Sequence, residues 1–117
     1  MGFFGFLEQI FKKKIEGKTA QDWFELGAKE KNSARKVECF GNVVKLKPNF
    51  AGALNLLGSA HAELGEYKKA LECYDEALSI SPSYSAARYN KENLKKKMKE
   101  EAEERAEEEA EQAEEAE

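Results

Sequence analysis

The 117-residue chain has few of the residues on which several classes of protein depend. It contains one histidine, two cysteines, two prolines and one tryptophan. One histidine and two dispersed cysteines are too few for a zinc site. No apolar run approaches the roughly 18 residues that a membrane-spanning helix needs. Two cysteines without an Asn-x-Ser/Thr acceptor favour a reducing interior, so the sequence predicts a cytoplasmic protein.

Groups that could carry out catalysis are also missing from the sequence. It has no glycine-rich phosphate loop and no set of serine, histidine and aspartate. The single histidine, His61, occupies a helix position that predicts packing in a core or a groove. Paired carboxylates occur only near the C-terminus, where no pocket would tune their pKa values. We therefore expect no enzymatic activity, no cofactor and no bound metal.

Charge is divided unequally along the chain. Residues 100–117 hold 11 Glu and one Arg, a net charge of 1 − 11 = −10, so residues 1–99 carry −4 + 10 = +6. The Glu and Ala residues favour helix, although repulsion between carboxylates opposes it. We predict an acidic tail over residues 99–117 that is helical at first and then frayed. The tail is either a solubilising extension or an arm that binds basic partners or the basic body.

Comparison of the chain with itself finds two copies of one unit. When position 26 is aligned with position 57, Leu26 and Gly27 fall on Leu57 and Gly58. When position 48 is aligned with position 82, six pairs come into register: Val37 and Leu71, Glu38 and Glu72, Cys39 and Cys73, Phe40 and Tyr74, Leu46 and Ile80, Pro48 and Pro82. The second offset is larger than the first by three positions, so the first copy has lost three residues between its halves.

The pattern of each copy predicts two amphipathic helices. In the second copy, the first helix has an apolar face formed by Ala53, Leu57, Ala60 and Leu64. Gly65 ends this helix, because glycine accepts the left-handed conformation that follows a last turn. The second helix stops before Pro82, and its apolar face is formed by Tyr67, Ala70, Leu71, Tyr74, Ala77 and Leu78. In the first copy, Thr19 and Asp22 predict a capping box at the first helix.

The second copy, residues 51–84, resembles the tetratricopeptide repeat, a helix-turn-helix unit of about 34 residues. The residues that carry the resemblance are Leu57, Gly58, Gly65, Tyr67, Ala70, Tyr74, Ala77 and Pro82. The first copy, residues 20–48, departs from the pattern because Lys36 replaces a small alanine. The stem of Lys36 would pack while its ammonium reaches solvent. The resemblance implies an all-α fold, a helix-turn-helix array of the α–α superhelix type.

A third copy begins after Pro82 and does not finish. Residues 85–90 follow the pattern of a first helix, but Lys91 and Glu92 replace the Leu-Gly pair and more lysines follow. Repeat arrays end with a helix that has one apolar side and one charged side. We therefore predict a repeat domain over residues 17–98, in which residues 85–98 are the capping helix.

An amphipathic helix is predicted at the N-terminus, over residues 1–16. Its apolar half would dock through Phe3, Phe4, Leu7, Ile10 and Phe11. It is a cap or groove-filling segment if it covers the array, because two repeats are short of the three that stacking usually needs. Alternatively, residues 3–14 bind a membrane surface, with phenylalanines at the acyl boundary and lysines near anionic headgroups. A further alternative is burial between two copies in a homo-oligomer.

Members of the tetratricopeptide family usually hold an extended peptide in a concave groove lined by the first helix of each repeat. Carried over by position, the groove residues are Phe24, Ala28, Lys31, Asn55, Ser59, Ala62, Glu63, Ala86, Tyr89 and Asn90. Chaperone-binding relatives grip a C-terminal carboxylate with a clamp of Lys, Asn and Arg. That clamp is not reproduced, because Ala28, Ser59 and Ala86 lack its amide and amino groups. We expect a groove of small residues that suits an apolar peptide or helix.

These features together predict a protein–protein interaction adaptor or scaffold that binds a protein or peptide partner in the groove. The alternatives are a membrane-surface adaptor tethered by its N-terminal helix and a self-associating module. Nucleic-acid binding is not expected, because the lysines of the body are spread over several helices. The lysine cluster at residues 95–99 also adjoins the acidic tail, which would repel phosphates.

Overall fold

The computed structural model describes residues 14–116, which are built almost entirely of helices. A short strand pair, β1 (Lys14–Ile15) and β2 (Lys18–Thr19), precedes the helices. The helices are α1 (Ala20–Lys29), α2 (Ser33–Leu46), α3 (Ala51–Glu63), α4 (Tyr67–Ile80) and α5 (Ser85–Glu115). Each helix packs against the next one along the chain. The predicted all-α helix-turn-helix array is confirmed.

The hairpin of β1 and β2 stands where the end of the N-terminal helix was predicted. Residues 1–13 of that prediction, with all five docking side chains, lie outside the described residues. Lys14–Ile15 pairs antiparallel with Lys18–Thr19 across a turn in which Glu16 and Gly17 have φ angles of 51° and 73°. Two successive left-handed residues suit a two-residue hairpin and interrupt a helix. The prediction of a helix that reaches residue 16 is therefore wrong at its end.

The helix ends that the sequence marks are formed as predicted. At the start of α1, the Asp22 amide donates to the Thr19 hydroxyl at 3.2 Å, and the Thr19 amide donates to the Asp22 carboxylate at 2.9 Å. These reciprocal bonds form the capping box. After α3, Gly65 has a φ of 76°. The amides of Gly65 and Glu66 donate back to carbonyls of the last turn at 3.0 and 2.9 Å, which closes the helix.

The three residues missing from the first copy shorten its first helix. Helix α1 has 10 residues and α3 has 13, whereas α2 and α4 both have 14. The two copies nevertheless pack internally in the same way, with Phe40 against Gly27 and Tyr74 against Gly58. A Cβ atom at either glycine would lie 2.8 or 2.7 Å from the facing ring. The glycines therefore set how closely the two helices of a copy approach.

Helix α5 is packed only along its first half. Ala87 and Leu94 are buried, and the Tyr67 hydroxyl donates to the Glu101 carboxylate at 3.0 Å. Beyond Glu101, every described residue is exposed. The helix nevertheless continues to Glu115, whereas the sequence predicts fraying within the tail. Alanine and glutamate are good helix formers, and the acidic tail leaves the array as an exposed helix.

Gly58→Ala should destabilise the array, because a new Cβ atom has no room. It would lie 2.7 Å from Tyr74 Cε1 and 3.1 Å from the carbonyl oxygen of Ala70, which is backbone and cannot rotate away. We expect the free energy of unfolding, measured by urea denaturation, to fall by about 1–3 kcal/mol. Gly41→Ala is the control, because nothing lies within 4 Å of a Cβ atom there. It should add about 0.5–1 kcal/mol, and equal effects at both glycines would contradict the packing explanation.

Candidate functional site

Two neighbouring concavities lie along the first helices of the array. The first, of about 270 Å³, is lined by Gly27, Ala28, Lys36, Phe40, Leu56, Ser59, Ala60 and Glu63. The second, of about 330 Å³, is lined by Ser59, Ala62, Glu63, Tyr74, Asn90, Asn93, Leu94 and Lys97. Ser59 and Glu63 of α3 belong to both. The two concavities therefore form one continuous surface from α1 across α3 to α5, which we call the groove.

A charged cluster connects α2 and α3 at the first concavity. Lys36 Nζ lies 3.4 Å from both carboxylate oxygens of Glu63, and the Ser33 hydroxyl donates to the same carboxylate. The hydrogen bond from Ser33 lowers the pKa of Glu63, partial burial opposes that shift, and Lys36 lowers the pKa further. The Lys36 side chain is 26% exposed, so its stem is packed and its ammonium reaches the surface. At position 36, where the repeat pattern has an alanine, this chain therefore has a lysine that forms an ion pair with the next repeat.

Polar side chains tie α3 to α4 and α5 beneath the second concavity. Asn90 Nδ2 donates to Asn55 Oδ1 at 2.9 Å, and Asn55 is only 7% exposed. The Ser59 hydroxyl lies 3.1 Å from the Asn55 carbonyl oxygen and 3.1 Å from the Tyr74 hydroxyl. Burial raises the pKa of Tyr74, and the bond with Ser59 opposes that shift. Such a network fixes the floor of the groove, so a ligand would meet a preformed surface.

The structure brings together half of the residues that the resemblance placed in the groove. The residues that line it are Ala28, Ser59, Ala62, Glu63 and Asn90. Asn55 lies beneath Asn90. Phe24 is half-buried, because its ring stacks on Phe50 with centroids 5.5 Å apart and meets Phe40 edge-on at 5.7 Å. Three residues are exposed and line neither concavity: Lys31, Ala86 and Tyr89.

Several groove residues are missing from the set that the resemblance supplied. Leu56, Asn93 and Lys97 line the groove, and Leu56 is 36% exposed. They stand at the sixth, ninth and thirteenth positions of their copies, which are positions that the family uses for its groove. The same positions, applied in full to the second copy and continued to the end of the third, would have found all three. Lys97 Nζ also lies 5.7 Å from the centroid of the Tyr67 ring.

Neither cysteine is exposed, because Cys39 lies in the core beside Trp23 and Cys73 is half-buried. Cys39 and Cys73 are free thiols. Burial raises the pKa of Cys39 and raises that of Cys73 to about 11, which lowers the thiolate fraction of both at neutral pH. Within residues 14–116, no group of three or more His, Cys, Asp or Glu side chains could hold a metal ion. None of the described helices combines the length and the apolar character that crossing a membrane requires.

Stacked helix-turn-helix units with a groove along their first helices define a helical-repeat module for protein–protein interaction. Residues 51–84 match the tetratricopeptide repeat, so the chain contains this repeat, and its described helices form the kind of array that such repeats build. The chain is 36% identical over 56 residues to the peroxisomal targeting signal receptor of Candida glabrata. It is 32% identical over 56 residues to the receptors of the same name from Kluyveromyces lactis and Saccharomyces cerevisiae. The match covers 48% of this chain and about a tenth of the length of these curated relatives.

Proposed function

We propose that the chain is a cytoplasmic interaction adaptor that binds a peptide or helix of another protein in the groove. The observation that carries this proposal is the continuity of the groove, because Ser59 and Glu63 are shared walls of both concavities. A ligand can therefore contact α1, α3 and α5 at once. The matched relatives are named as receptors of a targeting signal, which supports a role in recognition.

The two halves of the groove favour different parts of a ligand. Gly27, Ala28 and Leu56 give the first concavity small or apolar walls, and the Glu63 carboxylate there is already bonded to Ser33 and Lys36. This half suits one bulky apolar side chain, which needs no polar partner. The second concavity presents the amides and ammonium of Asn90, Asn93 and Lys97. It suits a polar or acidic stretch of the same ligand.

Peptides selected from a displayed random-peptide library on the wild-type chain test the proposal. We expect Ala28→Arg in the first concavity and Asn93→Arg in the second each to weaken selected peptides by about tenfold or more. Both residues are exposed, so neither substitution should disturb the core. Ser79→Arg on the exposed surface of α4 is the control and should leave the dissociation constant, measured by titration calorimetry, unchanged. If selected peptides bind all three variants like the wild type, the groove is not the binding site.

A further inference from the structure

A third concavity lies away from the groove, beside the hairpin. It has a volume of about 510 Å³ and is lined by Thr19, Ala20, Gln21, Leu46 and Lys47. These residues belong to the end of β2, the start of α1 and the end of α2. None of them lines either half of the groove. We call this surface the end concavity, because it lies on the first unit of the array.

The path of the chain brings the N-terminal segment to this surface. Lys14 is the antiparallel partner of Thr19, and the Cα atoms of such partners are about 5 Å apart. Phe11 precedes Lys14 by three residues and is therefore at most about 11 Å from it along the chain. Phe11, the large apolar side chain nearest the hairpin, is thus within reach of the end concavity.

The chemistry of the two surfaces is complementary. Ala20 belongs to the core cluster of Trp23, and Leu46 and Ile15 pack against that cluster from outside. Apolar side chains from residues 3–11 would extend this cluster over Ala20 and Leu46.

We infer that residues 3–11 dock into the end concavity of their own chain through Phe4, Leu7 and Phe11. The segment then supplies the layer that a two-repeat array lacks at its first end. It also leaves the groove free for a partner, so this inference does not depend on the proposed function. The alternative binding places for these apolar side chains are a membrane surface, the groove and a second copy of the chain.

Engineered disulfides test the docking in the full chain. Phe11→Cys is combined either with Gln21→Cys at the end concavity or with Asn93→Cys in the groove. Both partner positions are exposed, whereas the native thiols of Cys39 and Cys73 are buried and half-buried. Under mild oxidation, we expect the intramolecular disulfide to Gln21→Cys to form about tenfold faster or more than in the same protein carrying Phe4→Ser and Leu7→Ser, because docking raises the local concentration above that given by the short tether. The products are identified by peptide mass spectrometry.

The other outcomes each overturn the inference in a recognisable way. A faster disulfide to Asn93→Cys would mean that the segment occupies the groove. Disulfides that form mainly between chains and disappear on dilution would mean that a second copy is the occupant. Equal slow rates at both positions, together with co-sedimentation of the wild-type chain with phosphatidylserine vesicles, would mean that the segment binds membranes. The variant with Phe4→Ser and Leu7→Ser should keep the helical circular dichroism of the array, and an unchanged rate of the disulfide to Gln21→Cys in that variant would overturn the inference.

Discussion

Trp23→Ala should lower the free energy of unfolding by about 3–5 kcal/mol. The Trp23 side chain is fully buried, packs with Ala20, Cys39 and Val43, and donates from Nε1 to the Ile15 carbonyl at 3.1 Å. The substitution opens a cavity in the first copy and leaves that carbonyl without its donor. Small domains are stable by only about 5–15 kcal/mol, so this loss is a large part of the total.

Two controls separate the contributions of Trp23. Trp23→Phe keeps a ring but removes the N–H donor, and should cost about 1–3 kcal/mol. Leu26→Ala lies on the same helix at 38% exposure and should cost less than about 1 kcal/mol. Urea denaturation followed by circular dichroism is the measurement, because the Trp23 variants lack the single tryptophan whose fluorescence would otherwise report unfolding. Similar losses for Trp23→Ala and Leu26→Ala would show that Trp23 is not the centre of the first core.

The second copy could be predicted in detail because its signals are local. Helices α3 and α4 end at Glu63 and Ile80, two residues before Gly65 and Pro82 respectively. The predicted apolar faces supply the buried residues Ala53, Ala60, Ala70, Tyr74 and Ala77. Helical periodicity and the residues that end a helix act over a few positions. The sequence therefore places both helices and most of the faces that they bury, although Leu64 of the predicted face is 44% exposed and Leu54, outside that face, is buried.

The hairpin and part of the groove could not be predicted, because their determinants are either too short or too distant in sequence. A two-residue strand cannot show the alternation that identifies a strand, and Ile15 also continues the apolar face of the predicted helix. The one available signal is Gly17, two residues before the Thr19 cap. Phe24 does not line the groove, because its ring stacks on Phe50, which lies beyond the end of the first copy. No pattern within one copy reports such a contact.

Ala70→Lys should lower the free energy of unfolding by about 3–5 kcal/mol, because it buries an ammonium without a partner. Ala70 is the counterpart of Lys36 in the second copy, and it is fully buried beside Tyr74 and Leu94. In the first copy, Lys36 pairs with Glu63. By the same offset, the counterpart of Glu63 is position 97, which is a lysine. A lysine at position 70 would therefore meet a like charge, whereas Lys36→Ala removes a half-exposed pair and should cost only about 0–1 kcal/mol.

Charge reversal at Lys97 tests the electrostatic part of this prediction. Lys97→Glu is an exposed substitution and should change stability by less than about 0.5 kcal/mol alone. Combined with Ala70→Lys, it should recover about 1 kcal/mol or more in a double-mutant cycle measured by urea denaturation. Ala70→Met controls for side-chain length, and overpacking alone should cost about 1–3 kcal/mol. The contradicting result would be that Ala70→Met lowers the free energy of unfolding as much as Ala70→Lys does, and that Lys97→Glu recovers nothing. Position 70 would then reject any large side chain, charged or not, and the difference between the two copies would be steric.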